Sequence, residues 1–413
     1  MTRSISVPSS DGQHFSAYLA VPASGKGPGL VVAQEIFGVN ANMRAVADQF
    51  AEEGYVAIVP DLFWRQQPGV DLGYTPADFE KAIGYFQGFD LDKGIADIQS
   101  CLNLLRTLPE VDTSTGQGLV GFCLGGRLAY FAACRTDVDV AVGYYGMGIE
   151  HALGEAEHIR GRLVLHFAEQ DVYCDAAARA TIDTALRGRK GIELYTYPGV
   201  DHAFARAGGM HFSKLAANMA HQRTIAALKR TIGPDYDLSA LWDKHCEYEF
   251  GTRNVDDTMA TMVAQPYVNH IPTMTGGVGY TELYRFYTHH FVHGNPPDMA
   301  LAPISRTIGA NQVVDEFILS FTHTTEIDWL LPGIAPTGRK VEIPMLGVIR
   351  FRGDKLCHEH IYWDQASVLV QVGALDPAGL PVAGAETAHK LLDETLPSNT
   401  LMASWSRSAV AQG

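Results

Sequence analysis

Short apolar runs alternate with amphipathic helical segments through Met1–Gly233, and this alternation limits the fold more than any other feature of the chain. The runs are hydrophobic throughout and rich in β-branched residues, which is typical of strands buried on both faces of a sheet. Strands that alternate with helices form a mostly parallel α/β sheet with helices on both faces. The predicted strands are Leu30–Glu35, Tyr55–Pro60, Gly118–Cys123, Val138–Gly146, Arg162–Phe167 and Ile192–Pro198, and the predicted helices are Met43–Glu53, Lys93–Leu108, Gly125–Arg135, Asp175–Arg187 and Phe212–Thr231.

The sequence changes its pattern after the helix stop at Gly233–Ser239, where a proline directly follows a glycine. Helical stretches come first and long strand-like runs follow, an order typical of an α+β domain with an antiparallel sheet curved around helices. We predict one domain over residues 1–233, a second over 240–374, and a tail over 375–413. The predicted helices after Gly233 are Ala240–Phe250, Asp256–Val263, Glu282–Phe291 and, in the tail, Glu386–Glu394, and the strands are Ala302–Ile308, Gln312–Thr322, Arg339–Arg350 and Leu356–Asp364.

The composition excludes several classes of protein. The 413 residues include 31 Lys and Arg against 46 Asp and Glu, a net charge of −15, whereas nucleic-acid binding needs clustered basic residues. No apolar stretch reaches the roughly 18 residues of a membrane span, and the N-terminal MTRSISVPSSDG lacks the apolar segment of a secretory signal. The six cysteines form no CxxC pair, which suits a reducing compartment. We expect a cytoplasmic protein that binds a small molecule, with neither nucleic-acid nor membrane partners.

The segment GFCLGG, Gly121–Gly126, joins a predicted strand to a predicted helix. A nucleophile between small residues at such a turn is typical of a nucleophile elbow, here with cysteine in place of serine. The turn holds Cys123 at the carboxyl end of the sheet and directs the backbone N–H of Leu124 towards a developing oxyanion. Because an acid and then a histidine follow the nucleophile in chains of this type, Asp171 and His202, which follow the last two strands, complete a predicted triad.

Other assignments of these residue types remain open. Asp175 and Asp201 are alternatives for the acid, although Asp175 is placed to cap the next helix and Asp201, directly before His202, is expected to point elsewhere. A cysteine after a strand is commonly buried filler, and we interpret Cys101 and Cys134 in that way. The chain order of the three predicted triad residues favours the catalytic interpretation for them.

Together these motifs resemble the dienelactone hydrolase (carboxymethylenebutenolidase) family, cysteine-dependent α/β-hydrolases of aromatic-compound breakdown. The resemblance covers nearly all of residues 1–233 and implies an α/β-hydrolase fold, with Cys123 as nucleophile, His202 as its histidine and Asp171 as the acid. The segments that carry it are AQEIFGVN (Ala33–Asn40), PDL (Pro60–Leu62), Phe89–Asp90, GFCLGG, AVGYYG (Ala141–Gly146), Glu169–Asp171 and DHAFAR (Asp201–Arg206).

The resemblance implies further site residues. Glu35 matches a glutamate that takes the thiol proton when substrate arrives, although from sequence alone it could also be a solvated loop carboxylate. The backbone N–H of Ile36 matches the second oxyanion donor, and Arg206 matches an arginine that binds the substrate carboxylate. The family's second arginine is missing, because Lys81 is the only cation within Gly73–Gln87. We therefore expect a different carboxylate-bearing lactone or ester as substrate.

The segment Ala240–Ala374 resembles the SnoaL-like branch of the NTF2-like superfamily, in which a curved sheet forms a cone that binds small apolar ligands or mediates dimerisation. Six polar residues are expected to line the cone, and His360 with Asp364 could form an acid–base pair. Histidine pairs at His289 and His293 and at His358 and His360 suggest a metal, but no three ligands have a recognisable spacing, so we predict no metal and no cofactor. The resemblance rests on ALWDKHCEYEF (Ala240–Phe250), PYVNHIPTMTGG (Pro266–Gly277), LYRFYTHHF (Leu283–Phe291), VVDEFILSFTHT (Val313–Thr324) and HEHIYWDQ (His358–Gln365), and the six polar residues are His270, Asp315, His323, His358, His360 and Asp364.

The leading expectation is an enzyme that hydrolyses an enol-lactone or ester through a thioester intermediate, in aromatic-compound catabolism. One alternative is a bifunctional protein whose second domain carries a separate cyclase or isomerase activity. Another is a ligand-binding or oligomer-forming protein with a vestigial elbow. A homodimer formed through the second domain is compatible with each of them.

Overall fold

An eight-stranded sheet forms the centre of Met1–Asp235, the first of two units into which the computed structural model divides the chain. The structure describes residues 2–409. The strands of this unit are β1 (Thr2–Pro8), β2 (His14–Ala20), β3 (Gly29–Ala33), β4 (Val56–Pro60), β5 (Gln117–Phe122), β6 (Val140–Tyr144), β7 (Arg162–Ala168) and β8 (Ile192–Tyr197). Its helices are α1 (Ala41–Glu52), α2 (Pro76–Gln87), α3 (Leu91–Leu105), α4 (Leu124–Arg135), α5 (Ala176–Leu186) and α6 (Lys214–Ile232), with 3₁₀ turns at Ile149–His151 and Leu153–His158.

The strands follow the order β1-β2-β4-β3-β5-β6-β7-β8, and those from β3 to β8 run parallel. Strands β3, β4 and β6 are buried at every residue, which explains their continuous apolar sequences. The predicted mostly parallel sheet is confirmed, and all six predicted strands form. The antiparallel hairpin of β1 and β2 was not predicted, because β1 at the sheet edge is mostly exposed and β2 alternates between exposed and buried residues, so neither forms an apolar run.

The second unit, Tyr236–Gly413, contains a six-stranded sheet of order β10-β9-β14-β13-β12-β11. Neighbouring strands are antiparallel except β9 and β14, which run parallel. Its strands are β9 (Met262–His270), β10 (Thr275–Val278), β11 (Ala300–Ile308), β12 (Gln312–Thr322), β13 (Lys340–Arg352) and β14 (Lys355–Trp363). Its helices are α7 (Leu238–Cys246), α8 (Val255–Ala260), α9 (Gly279–Phe286), α10 (Gln365–Val372), α11 (Glu386–Leu392) and α12 (Trp405–Ala409), and π-helical turns extend α7 over Glu247–Gly251 and α9 over Tyr287–Phe291.

The structure of the second unit differs from the sequence prediction where its sheet begins. Strands β9 and β10 were not predicted, and the helix expected over Asp256–Val263 ends at Ala260. Residue Met262 already belongs to β9, whose buried residues pack into the core of the unit. Among the described residues, no helix combines the length and the apolar character needed to cross a membrane.

The polar residues expected to line the cone have different surroundings. His358 and His360 lie on the face of β14 opposite to Glu359 and Ile361, and only the latter two line the internal cavity, so that prediction is wrong for both histidines. Asp364 is exposed and caps α10 by accepting a hydrogen bond from the backbone of that helix. The acid–base pair predicted for His360 and Asp364 is therefore replaced by a helix cap and by a contact of 2.7 Å between the Nε2 atoms of the two histidines.

The other three candidates are buried. His270 lines the cavity, as expected. Asp315 accepts hydrogen bonds from the side chains of Trp242 and Arg306. His323 contacts the hydroxyl of Thr337 through Nδ1 at 3.2 Å. Asp315 and His323 therefore contact polar groups of the protein and, unlike His270, do not line the cavity.

Candidate active site

A sharp turn between β5 and α4 holds Cys123 at φ 56° and ψ −110°, in a region of backbone space that non-glycine residues rarely occupy. A Cβ atom at Gly121 would overlap the carbonyl of Gly125, and one at Gly125 would overlap the carbonyl of Ala33. The Cys123 N–H donates to the carbonyl of Tyr144 at 3.0 Å. The small residues of GFCLGG are thus required by close backbone contacts, and the geometry is that of a nucleophile elbow.

The structure brings His202 and Asp171 to this elbow. His202 Nδ1 lies 2.8 Å from Asp171 Oδ2, and Asp171, at 3% exposure, also accepts the backbone N–H of Tyr173 at 2.9 Å. Burial lowers the pKa of His202, but the charge of Cys123 and hydrogen bonds with Asp171 and Cys123 outweigh burial and raise that pKa above its usual range. Because an ionised carboxylate only accepts, Asp171 fixes the proton on Nδ1 and leaves Nε2 for proton transfer.

The alternative acids lie elsewhere. Asp175 caps α5 by accepting the N–H of Ala178 at 2.9 Å. Asp201 accepts the backbone N–H of His202 and forms an ion pair with His211 at 3.3 Å. Neither carboxylate forms the contact with the His202 imidazole that Asp171 makes.

Glu35 and Arg206, which come from opposite ends of this unit, form a buried ion pair. Arg206 Nε and Nη2 donate to the carboxylate at 3.0 and 3.1 Å, and Glu35 is 1% exposed, so it is not a solvated loop residue. Burial lowers the pKa of Arg206, but Glu35 raises it by more. The pairing was not predicted, since the sequence suggested separate roles for the two residues.

A cavity of about 260 Å³ opens beside the predicted nucleophile. Three side chains of α2, at helical spacing, form an apolar wall where the family's second arginine was sought, and Lys81 is exposed and not part of that wall. Leu124 begins α4 directly after the elbow, and Ile36 lines the cavity. The lining residues are Ile36, Phe37, Tyr74, Phe79, Ile83, Phe86, Cys123, Met147, Tyr173, His202, Ala203, Arg206 and His211.

Three tyrosines complete the site and were not predicted. The Tyr74 hydroxyl lies 3.4 Å from Glu35 Oε2, and its ring centre is 4.4 Å from the guanidinium carbon of Arg206. Burial raises the pKa of Tyr145 well above its ordinary value, and the ring centres of Tyr145 and Tyr173 each lie 5.0 Å from that of His202. Tyrosines are common in cores, so only the AVGYYG segment gave a signal for any of the three.

Comparisons with known proteins agree with this geometry. The model of the dienelactone hydrolase family matches residues 15–232, and that of the SnoaL-like domain matches residues 242–359. The carboxymethylenebutenolidase of Pseudomonas sp. strain P51 is 37% identical over 233 residues, which cover 56% of this chain and 96% of that protein. A relative in Azospirillum brasilense, provisionally given the same name, is 44% identical over 232 residues, 55% of this chain and 99% of that protein.

A crystal structure from Klebsiella pneumoniae, provisionally named a dienelactone hydrolase, is 26% identical with a TM-score of 0.49 and covers 56% of this chain and 98% of its own. The family match spans more than half of the chain, and the curated relatives are covered almost completely. The chain is therefore a hydrolase that belongs to the dienelactone hydrolase family, with a SnoaL-like domain after its α/β-hydrolase domain.

Proposed function

We propose that this hydrolase cleaves an enol-lactone or ester that bears a carboxylate, through a thioester on Cys123. The observation that carries the proposal is the position of Cys123, at a strained elbow beside a cavity, with His202 oriented by Asp171. The raised pKa of His202 supports an imidazolium that stabilises a thiolate.

In the proposed mechanism, the thiolate of Cys123 attacks the carbonyl carbon, and the backbone N–H groups of Leu124 and Ile36 stabilise the oxyanion. The carbon–oxygen bond then breaks while the His202 imidazolium donates its proton to the departing enolate, so that a thioester on Cys123 and a neutral imidazole remain. His202 removes a proton from water, which attacks the thioester and releases the acid and the thiolate. A thiolate suffices because an enolate is a good leaving group.

The cavity supports a substrate with a charged end and an apolar body. Arg206 is the cation that lines it, and Phe79, Ile83 and Phe86 supply the apolar wall. A planar guanidinium binds a carboxylate through two parallel hydrogen bonds, whereas the wall offers no second cation. We therefore place the substrate carboxylate at Arg206 and an apolar or aromatic group against α2, in a reaction of aromatic-compound breakdown.

The test is hydrolysis of cis- and trans-dienelactone beside p-nitrophenyl acetate under reducing conditions. We expect Cys123→Ala to abolish turnover of every substrate that the wild type cleaves. Cys134→Ala is the matched control. Burial is the main cause that raises the pKa of the Cys134 thiol to about 11, which keeps this thiol protonated. If Cys123→Ala kept full hydrolysis of activated esters, the thioester mechanism would be wrong.

We also propose that the SnoaL-like domain forms a homodimer and that the protein is cytoplasmic. A six-stranded sheet with an apolar core of its own supports a domain that folds by itself and can carry the association. The proposed location rests on six cysteines without a CxxC pair. Sedimentation of the full chain and of a chain ending at Asp235 tests the first point. A monomeric truncated chain with unchanged hydrolysis supports dimerisation through this domain, and a truncated chain that remains dimeric contradicts it.

A further inference from the structure

A buried cluster of one histidine and two glutamates lies in the second unit, apart from the chemistry proposed for Cys123. His245 ends α7, Glu249 follows in the π-helical turn, and Glu359 points inward from β14. His245 is 0% exposed, Glu249 4% and Glu359 3%. One ligand atom of each residue lies within 4.8 Å of those of the other two.

Hydrogen bonding fixes which nitrogen of His245 faces the glutamates. The hydroxyl of Thr261 donates to the carbonyl of Thr258 at 2.6 Å, so its oxygen accepts from His245 Nδ1, also at 2.6 Å. Nε2 then lies 3.1 Å from Glu249 Oε1 and 3.3 Å from Glu359 Oε1. A histidine whose other nitrogen donates to a fixed oxygen has the arrangement of a metal ligand.

One carboxylate oxygen of the cluster lacks a well-directed hydrogen bond. Among residues 2–409, Glu359 Oε1 has the 3.3 Å approach of His245 Nε2 but no contact with hydrogen-bond geometry, although its side chain is buried. Ionised carboxylates are costly to bury, and Glu249 and Glu359 lie beside a single imidazole, so the cluster requires positive charge between its members. A divalent cation between the three groups would satisfy this oxygen and offset the charge.

The distances and the available volume agree with an ion. Bonds of about 2.0–2.1 Å from a tetrahedral Zn²⁺ to nitrogen and oxygen place neighbouring ligand atoms about 3.3 Å apart, close to the separations at His245 Nε2. Glu249 and Glu359 line a cavity of about 30 Å³, which holds roughly one water molecule. This space admits a water ligand beside Glu249 and Glu359 but excludes an organic substrate, so the cluster does not suit an acid–base site for cyclisation.

We propose that His245, Glu249 and Glu359 bind one divalent transition-metal ion, with Zn²⁺ and Mn²⁺ as the ions that suit nitrogen and carboxylate donors. The ion links the end of α7 to β14 inside the sheet of the SnoaL-like domain. The sequence did not indicate this site, because Glu359 lies far along the chain from the other two ligands.

The test is calorimetric titration of the chelator-treated full chain with Zn²⁺, and separately with Mn²⁺, in a Cys123→Ser background that removes the thiol as a competing ligand. We expect one ion per chain and a rise in Tm on loading. Glu359→Gln keeps the shape of the side chain and should abolish stoichiometric binding. Thr261→Val removes only the acceptor that positions His245, and should weaken binding roughly 10- to 100-fold.

The matched control is the double variant His358→Ala/His360→Ala, because these histidines occupy the same strand but the opposite face. It should bind one ion with unchanged affinity. Circular dichroism of each chelated variant separates loss of ligands from loss of folding. Binding that survives Glu359→Gln, or that disappears in the histidine control, contradicts the proposal. If folded wild type takes up neither ion stoichiometrically, the cluster holds a proton instead, and the proposal is also wrong.

Discussion

Replacing Glu35 with glutamine tests whether Arg206 binds the substrate carboxylate. In the free protein Glu35 already occupies Nε and Nη2 of that guanidinium. A second carboxylate on the same group would lie about 5 Å from Glu35, and two unit charges at that distance repel by about 3 kcal/mol at an effective dielectric constant of about 20. Glutamine removes the negative charge and most of this repulsion.

We expect Glu35→Gln to bind a carboxylate about 10- to 100-fold more tightly, since each factor of ten corresponds to about 1.4 kcal/mol and solvent near Arg206 reduces the full Coulomb value. The assay is calorimetric titration with benzoate and with benzamide in the Cys123→Ser background, where hydrolysis is blocked. Benzoate affinity should rise, while benzamide, which has a similar shape and no charge, should bind as before.

Asp201→Asn is the matched control. Asp201 pairs with His211, which lines the cavity, so the change removes one negative charge near the cavity without altering a contact of the Arg206 guanidinium. Its effect on benzoate should be small, because Asp201 is partly exposed to solvent, which screens its charge, and pairs with His211 and not with Arg206. Equal tightening of benzoate and benzamide, or equal tightening in Asp201→Asn, would refute the carboxylate role of Arg206. The arginine would then only neutralise Glu35.

Three further predictions follow from the geometry. Gly125→Ala places a methyl group against the carbonyl of Ala33, so it should abolish ester hydrolysis and lower the free energy of unfolding in urea by about 2 kcal/mol or more. Gly154→Ala is the control: among the described residues no atom lies near the added methyl group, so neither quantity should change. Asp171→Asn should slow alkylation of Cys123 by iodoacetamide at pH 7 about tenfold, because the imidazole loses the charge that raises its pKa. Burial lowers the pKa of His166 to about 3, so protons bind the unfolded chain more readily, and the free energy of unfolding falls as the pH drops from about 6.5 to 3. His166→Gln removes this group and should reduce the pH dependence by up to about 1.4 kcal/mol per pH unit. Urea unfolding midpoints measured across this pH range check the prediction.

The sequence predicted the parts of the fold that local chemistry determines. A strand buried on both faces must be apolar throughout, so β3 to β7 were found, and the elbow was found because its glycines are required by backbone contacts. The outcome was different for β14. Side chains alternate between the two faces of a strand, so the sequence divides those of β14 into two sets but does not say which set faces the core. The prediction placed His358 and His360 on the core side, whereas Glu359 is the buried residue.

The candidate site shows the same limit. The positions of Asp171 and His202 follow from the edge at which parallel strands end, so chain order suffices to expect them near Cys123. The pairing of Glu35 with Arg206 depends on side-chain lengths and directions across 171 positions of sequence, which no periodicity reports. The contacts of Tyr74 with Glu35 and Arg206 have the same origin.

We propose that the ion pair of Glu35 and Arg206 also connects substrate recognition with activation of Cys123. In the free protein Arg206 donates to Glu35 through Nε and Nη2, so each group already engages the other. On this proposal, a substrate carboxylate that binds Arg206 competes with Glu35 for the guanidinium, and the released Glu35 assists Cys123. A charged substrate should then differ from a neutral ester with the same leaving group in kcat and not only in KM, since its binding energy is used to create the reactive state. The kcat advantage should vanish in Glu35→Gln even though carboxylates bind that variant more tightly, and this opposite movement of affinity and rate distinguishes activation from simple attraction.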